Sequence, residues 1–126
     1  MKSEVLYIKN KTAGSIVDVY PIGTLSHKQE GQDISEMYDM QQAGAIAFSD
    51  DKKSVENAGL LMRALLYAQN FGGLIITHCD ERSISNDGKM NEGTISTQLG
   101  LKGIPALAEE LMVDINIFLA EYTNAA

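Results

Sequence analysis

The 126-residue chain has no tryptophan, one cysteine and two prolines, and it carries 10 basic side chains against 17 acidic ones. Each shortage excludes something. A lone cysteine, Cys79, rules out an internal disulfide framework. A net charge of -7 supplies no basic stripe for a phosphate backbone, so a nucleic-acid partner is not expected. There is no charged-then-apolar leader and no apolar run long enough to span a bilayer, so the expected location is the cytoplasm, with no membrane partner. With so few prolines and no low-complexity stretch, nothing marks a linker, and residues 1–126 read as one structural unit.

Hydrophobic residues make up 44% of the chain, an ordinary globular share. Three short apolar, β-branched segments stand out: residues 16–20 (Ile16-Val17-Asp18-Val19-Tyr20), 45–48 (Ala45-Ile46-Ala47-Phe48) and 73–78 (Gly73-Leu74-Ile75-Ile76-Thr77-His78). Their starts lie 29 and 28 residues apart, close to the roughly 30 residues of one strand, one helix and two loops. Between and around them the spacing predicts helices over 3–12, 35–43, 54–71 and 105–122. The third repeats Ala58, Leu61, Met62, Leu65 and Ala68; the last repeats Ala108, Leu111, Met112, Ile115, Phe118, Leu119 and Tyr122 behind Pro105. Residues 83–103, polar and punctuated by glycine, are expected to form a long loop.

That order is α/β with parallel βα units, either a doubly wound open sheet or an arc of a (β/α)8 barrel of the TIM type. Three strands in isolation would leave long apolar edges, which soluble domains avoid. A whole barrel needs roughly 230 to 250 residues, and the chain has 126. The expected architecture is therefore an arc of about three strands cut from a larger barrel, with its N- and C-terminal parts absent. Such an arc is expected to self-associate.

In parallel α/β folds, chemistry gathers where strands end and helices begin. Two such ends carry ligand-type side chains, Ser49-Asp50-Asp51 and His78-Cys79-Asp80-Glu81. Asp51 beside His78 would place a carboxylate oxygen and an imidazole nitrogen in one pocket, the start of a metal site. Plainer roles compete. Asp50 and Asp51 precede a helix and are suited to capping it, and a single histidine at a strand end often serves as a structural hydrogen-bonding residue. Cys79 should face the helix layer, opposite His78, and His27 should lie exposed in a polar loop. No phosphate loop, dinucleotide fingerprint or nucleophile elbow is present.

Val19-Tyr20-Pro21-Ile22-Gly23, Ala43-Gly44-Ala45-Ile46-Ala47-Phe48-Ser49-Asp50-Asp51, His78-Cys79, Met90-Asn91-Glu92-Gly93 and Leu99-Gly100-Leu101-Lys102-Gly103-Ile104-Pro105 with Ala108-Glu109-Glu110 together resemble the middle of the bacterial type I dihydroorotases. The resemblance covers nearly the whole chain in order. It implies a metal-dependent amidohydrolase barrel with a two-zinc centre. The implied reaction is the reversible hydrolysis of the cyclic amide of (S)-dihydroorotate to N-carbamoyl-L-aspartate, in pyrimidine biosynthesis. It also carries metal-ligand roles over to Asp51 and His78, which lie 27 residues apart as the family pattern requires. Asp50 then becomes a capping or supporting residue, and Glu92 a shaper of its loop with no chemical step. The family's paired histidines, later histidine and catalytic aspartate have no counterpart here, so the isolated chain is expected to be inactive, with no catalytic residue of its own and its substrate contacts unassigned. Two other readings stay open: a non-catalytic, dihydroorotase-like scaffold for aspartate carbamoyltransferase, and a metal-free α/β binding module.

Overall fold

The computed structural model describes residues 1–125 and is organised around Phe48. Helix α1 (Lys2–Thr12) leads to an extended stretch and the short strand β1 (Ile22–Gly23). A loop containing a 3₁₀ turn at His27–Gln29 follows, then α2 (Met37–Gln42) and β2 (Ala47–Phe48). After α3 (Ala58–Gln69) the chain runs extended and then forms α4 (Arg82–Ser85), β3 (Met90–Asn91), α5 (Thr94–Leu99), β4 (Gly103–Ile104) and α6 (Leu107–Thr123). The α/β class with parallel pairing is as expected; the named strands form two separate two-stranded sheets, β1–β2 and β3–β4.

β1 and β2 pair in parallel, Ile22 opposite Ala47 and Gly23 opposite Phe48. Phe48 then bridges Ile75 on its other side: its N–H donates to the Leu74 carbonyl at 2.9 Å, and the Ile76 N–H donates to the Phe48 carbonyl at 2.9 Å. Three parallel runs thus lie side by side in chain order, joined through α2 and α3. Gly23 is required by closeness rather than by φ, because a Cβ there would sit 2.9 Å from the Phe48 ring and 3.0 Å from the Met40 sulfur.

The core is one cluster, comprising Val5, Leu25, Met37, Met40, Ala43, Ala45, Phe48, Val55, Leu60, Leu61, Ala64 and Leu65. Phe71 closes it edge-on, its ring 6.1 Å from that of Phe48 and 5.3 Å from that of Tyr67. Helix α3 lays Leu60, Leu61, Ala64, Leu65 and Ala68 against this cluster. The periodicity placed the start of α3 at residue 54, whereas it begins at Ala58, capped by the Asn57 side chain accepting the Leu60 N–H at 3.0 Å. The earlier residues are held elsewhere, since the Ser54 hydroxyl is bonded to the strand end at His78.

Residues 16–20 are not a strand. Ile16 is fully exposed and Val17 68% exposed. Pairing starts only at Pro21, whose carbonyl takes the Ile46 N–H at 3.1 Å. The β-branched pattern was a sound local signal, but among the described residues no strand lies beside this stretch. The expected loop over 83–103 is also corrected: it folds into a second unit, β3–α5–β4, with Met90 opposite Gly103 and Asn91 opposite Ile104 in parallel. The strands approach so closely at Gly103 that a Cβ would stand 2.5 Å from the Glu92 Cα. Helix α5 is fastened by the Ser96 hydroxyl, which accepts the Gly93 N–H at 3.0 Å.

Helix α6 packs across α3, but less of it is buried than its pattern suggests. Ala108 and Met112 are buried and Ile115 and Leu119 half-buried, while Leu111, Phe118 and Tyr122 of the expected apolar face are exposed. Short α4 is capped by Glu81, whose carboxylate accepts the Ser83 hydroxyl at 2.7 Å and the Ser83 N–H at 2.9 Å. Those two bonds, the hydroxyl first, hold the Glu81 carboxyl below its ordinary range. Among the described residues no helix is long and apolar enough to cross a membrane.

Candidate functional site

The carboxyl ends of the three parallel runs open on one cleft of about 570 Å³, whose lining includes Thr24, Gln29, Ser49, Asp51, Lys52 and His78. β1 delivers Thr24, β2 delivers Ser49 and Asp51, and the extended run after α3 delivers His78. The pleat and the shared direction of the runs account for this gathering, because parallel strands in register end on the same side.

Asp51 follows β2 with a left-handed backbone, φ +56°, a region in which aspartate is among the few tolerated non-glycine residues. Its side chain is exposed to the cleft, and among the described residues its carboxylate takes no hydrogen bond; its N–H donates to the Ser49 hydroxyl at 3.1 Å. His78 is likewise exposed, with an imidazole free of hydrogen bonds among the described residues. Its backbone is fixed: the Ser54 hydroxyl donates to the His78 carbonyl at 2.7 Å and accepts the Asp80 N–H at 3.1 Å. A single serine thus ties the loop after β2 to the end of the neighbouring run.

Asp50 does something other than cap a helix. It is 4% exposed, and its Oδ1 accepts the N–H groups of Leu25 at 3.0 Å and Ser26 at 2.9 Å, while Oδ2 accepts the Ser26 hydroxyl. Bonds to a charged acceptor contribute about 1.5–3 kcal/mol each, and burial of the carboxylate is tolerated because all its donors come from one turn. The cap of α3 is Asn57 instead. The roles of Asp50, Ser26 and Ser54 lie in contacts 24 residues apart, which no local spacing signals.

Cys79 faces α6 as the alternation of the strand required, half-buried, with its sulfur accepting the Asn116 amide at 2.9 Å. His27 is exposed. Glu92 lies across Gly103 in the second unit and lines a separate cleft of about 740 Å³, which His78, Asp80 and Glu109 also border.

The donor set can be tested against a metal ion. One carboxylate and one imidazole, both unpaired and facing one cleft, suit zinc and related divalent ions. They fill two positions only, for among the described residues no group of three or more His, Cys, Asp or Glu side chains is placed to hold a metal.

A family model described as dihydro-orotase-like matches residues 2–126. The dihydroorotase of Pelotomaculum thermopropionicum is 50% identical over 121 residues, 96% of this chain and 28% of that protein. That of Syntrophus aciditrophicus is 51% identical over 110 residues, covering 87% of this chain and 26% of its own length. That of Geobacter sulfurreducens is 41% identical over 125 residues, 98% and 29% respectively. The chain therefore spans just over a quarter of the curated relatives it matches.

Proposed function

The chain belongs to the dihydro-orotase-like family, and from that premise we propose that it is a central piece of a zinc-dependent dihydroorotase in which Asp51 and His78 are metal ligands. The observation that supports this reading is that both side chains, free of other partners among the described residues, line one cleft at the carboxyl ends of adjacent parallel runs. The same run of parallel segments alternating with α2 and α3 supports an arc of a (β/α)8 barrel. The reaction would be reversible opening of the cyclic amide of dihydroorotate to N-carbamoyl-L-aspartate, in the cytoplasm.

Zinc bound at such a site supplies Lewis acidity toward an amide carbonyl and lowers the pKa of water. The chain's own part is to hold and orient. Asp51 would offer a carboxylate from the turn after β2, His78 would offer one ring nitrogen, and Ser54 fixes the backbone from which His78 projects. Two donors fall short of the three protein ligands and open position of a catalytic zinc, so the 126 residues alone are expected to leave dihydroorotate unhydrolysed. Exposed Ile16, Val17, Phe118 and Tyr122 support self-association of this chain, to be read as concentration-dependent mass in sedimentation.

Zinc titration followed by calorimetry tests the ligand assignment. Asp51→Ala and His78→Ala should each weaken binding by at least about tenfold, and binding unchanged in both variants would overturn it. Dihydroorotate hydrolysis by the chain alone, lost in Asp51→Ala, would overturn the expected inactivity.

A further inference from the structure

The pair Asp50-Asp51 sends two identical side chains to opposite fates, and the hydrogen bonds show how. Both oxygens of Asp50 are engaged, Oδ1 by two N–H groups and Oδ2 by the Ser26 hydroxyl, and Asp50 does not line the cleft that Asp51 lines. The Ser26 oxygen in turn accepts the Gly31 N–H at 2.9 Å, which extends the anchor to the tip of the loop after β1. That tip contains Lys28 and Gln29 in left-handed backbone, at φ 52° and 57°, and places Gln29 on the lining of the cleft. Asp51 is bracketed. Before it, the Ser49 N–H bonds the Gly23 carbonyl at 2.8 Å; after it, the Lys53 N–H bonds the Asp50 carbonyl at 3.1 Å.

We propose that Asp50 is the positioning residue for Asp51: by locking inward on Leu25 and Ser26, it holds Asp51 in its left-handed turn with the carboxylate presented to the cleft. The value of that presentation for metal binding rests on the reading of Asp51 as a ligand. Aspartate tolerates left-handed backbone better than most residues, but the conformation still carries a cost that its surroundings offset, and the buried Asp50 anchor adjoins it. Residues that orient a ligand in this way alter metal affinity by about 10- to 100-fold when removed.

The test uses the 126-residue chain and Mn²⁺ as the probe, with NMR as the readout. In the wild type, Mn²⁺ should broaden the signals of Asp51 and His78. Asp50→Ala should move the Asp51 Cα and Cβ shifts away from their left-handed values, speed amide exchange at Leu25, Ser26 and Gly31, and weaken Mn²⁺ binding about tenfold or more. Asp50→Asn retains an oxygen for the two N–H groups and should restore most of all three effects. Wild-type Asp51 shifts and Mn²⁺ affinity in Asp50→Ala would overturn the proposal. Displaced Asp51 shifts in that variant, with no Mn²⁺ broadening even in the wild type, would support the positioning role and overturn the ligand reading. Should Asp50→Ala fail to fold, Ser26→Ala decides alone: moved Asp51 shifts support the anchor, and unmoved ones overturn it.

Discussion

The units β1–α2–β2 and β3–α5–β4 repeat one topology, two parallel two-residue strands joined by a helix, yet they are held by different forces. In the first, Ala47, Phe48, Met37 and Met40 are almost wholly buried. In the second, Met90, Gly103 and Ile104 are half-buried, Asn91 is exposed, and α5 buries only Ser96. Two residues of parallel pairing are too few to stand unaided. The first unit draws its persistence from apolar burial; the second relies on backbone contact at Gly103 and on the hydroxyl of Ser96. The ligand-type side chains with no other partners project from the side that is anchored by packing.

Removing the keystone of the first unit is the strongest way to break this contrast. Phe48→Ala should cost about 3–5 kcal/mol and lower the midpoint of denaturant unfolding for the whole chain; a loss below about 1 kcal/mol would mean that the core is not organised around that ring. Next, Gly103→Ala should act locally. It should separate β3 from β4 and expose the N–H groups of Lys89 and Glu92, now bonded to Lys102 and Ile104, to rapid exchange while the Phe48 amide stays protected. Equal loss at both places would show that the units are one cooperative body. Asn57→Ala, which removes the cap of α3, should cost about 1 kcal/mol, measured by thermal unfolding. The smallest effect belongs to Glu81. Its carboxyl is held below its ordinary range in the folded chain, so its contribution is present above the ordinary glutamate pKa and fades as pH falls through the lowered folded value. Glu81→Gln should flatten that part of the stability profile, and an unchanged profile would discount the Ser83 contacts.

The long helices were legible in the sequence because they carry several turns of apolar repetition. Leu61, Leu65 and Ala68 recur on one side of α3 and are buried there. Phe48 was legible as a strand residue and Ile75 as its parallel neighbour because glycine and apolar residues bracket them, although of the expected strand 73–78 only Ile75 forms a bridge. Two-residue strands such as β3 and β4 contain no period to detect, and residues 16–20 show the converse, a good local pattern without a neighbour. At the site, strand-end logic and resemblance brought Asp51 and His78 forward, and both line one cleft. Asp50 was legible only as a capping or supporting residue; its inward partners were not, since its donors arrive from Leu25 and Ser26, across a loop, α2 and β2.

Ser26 reaches Asp50 and Ser54 reaches His78, each across a separation of 24 residues. In mechanical terms these hydroxyls are stitches that close two successive rings of chain, and the rings meet at residues 50–54. The turn that holds Asp51 lies in the short segment between the two closures, so each neighbouring ring ends beside it.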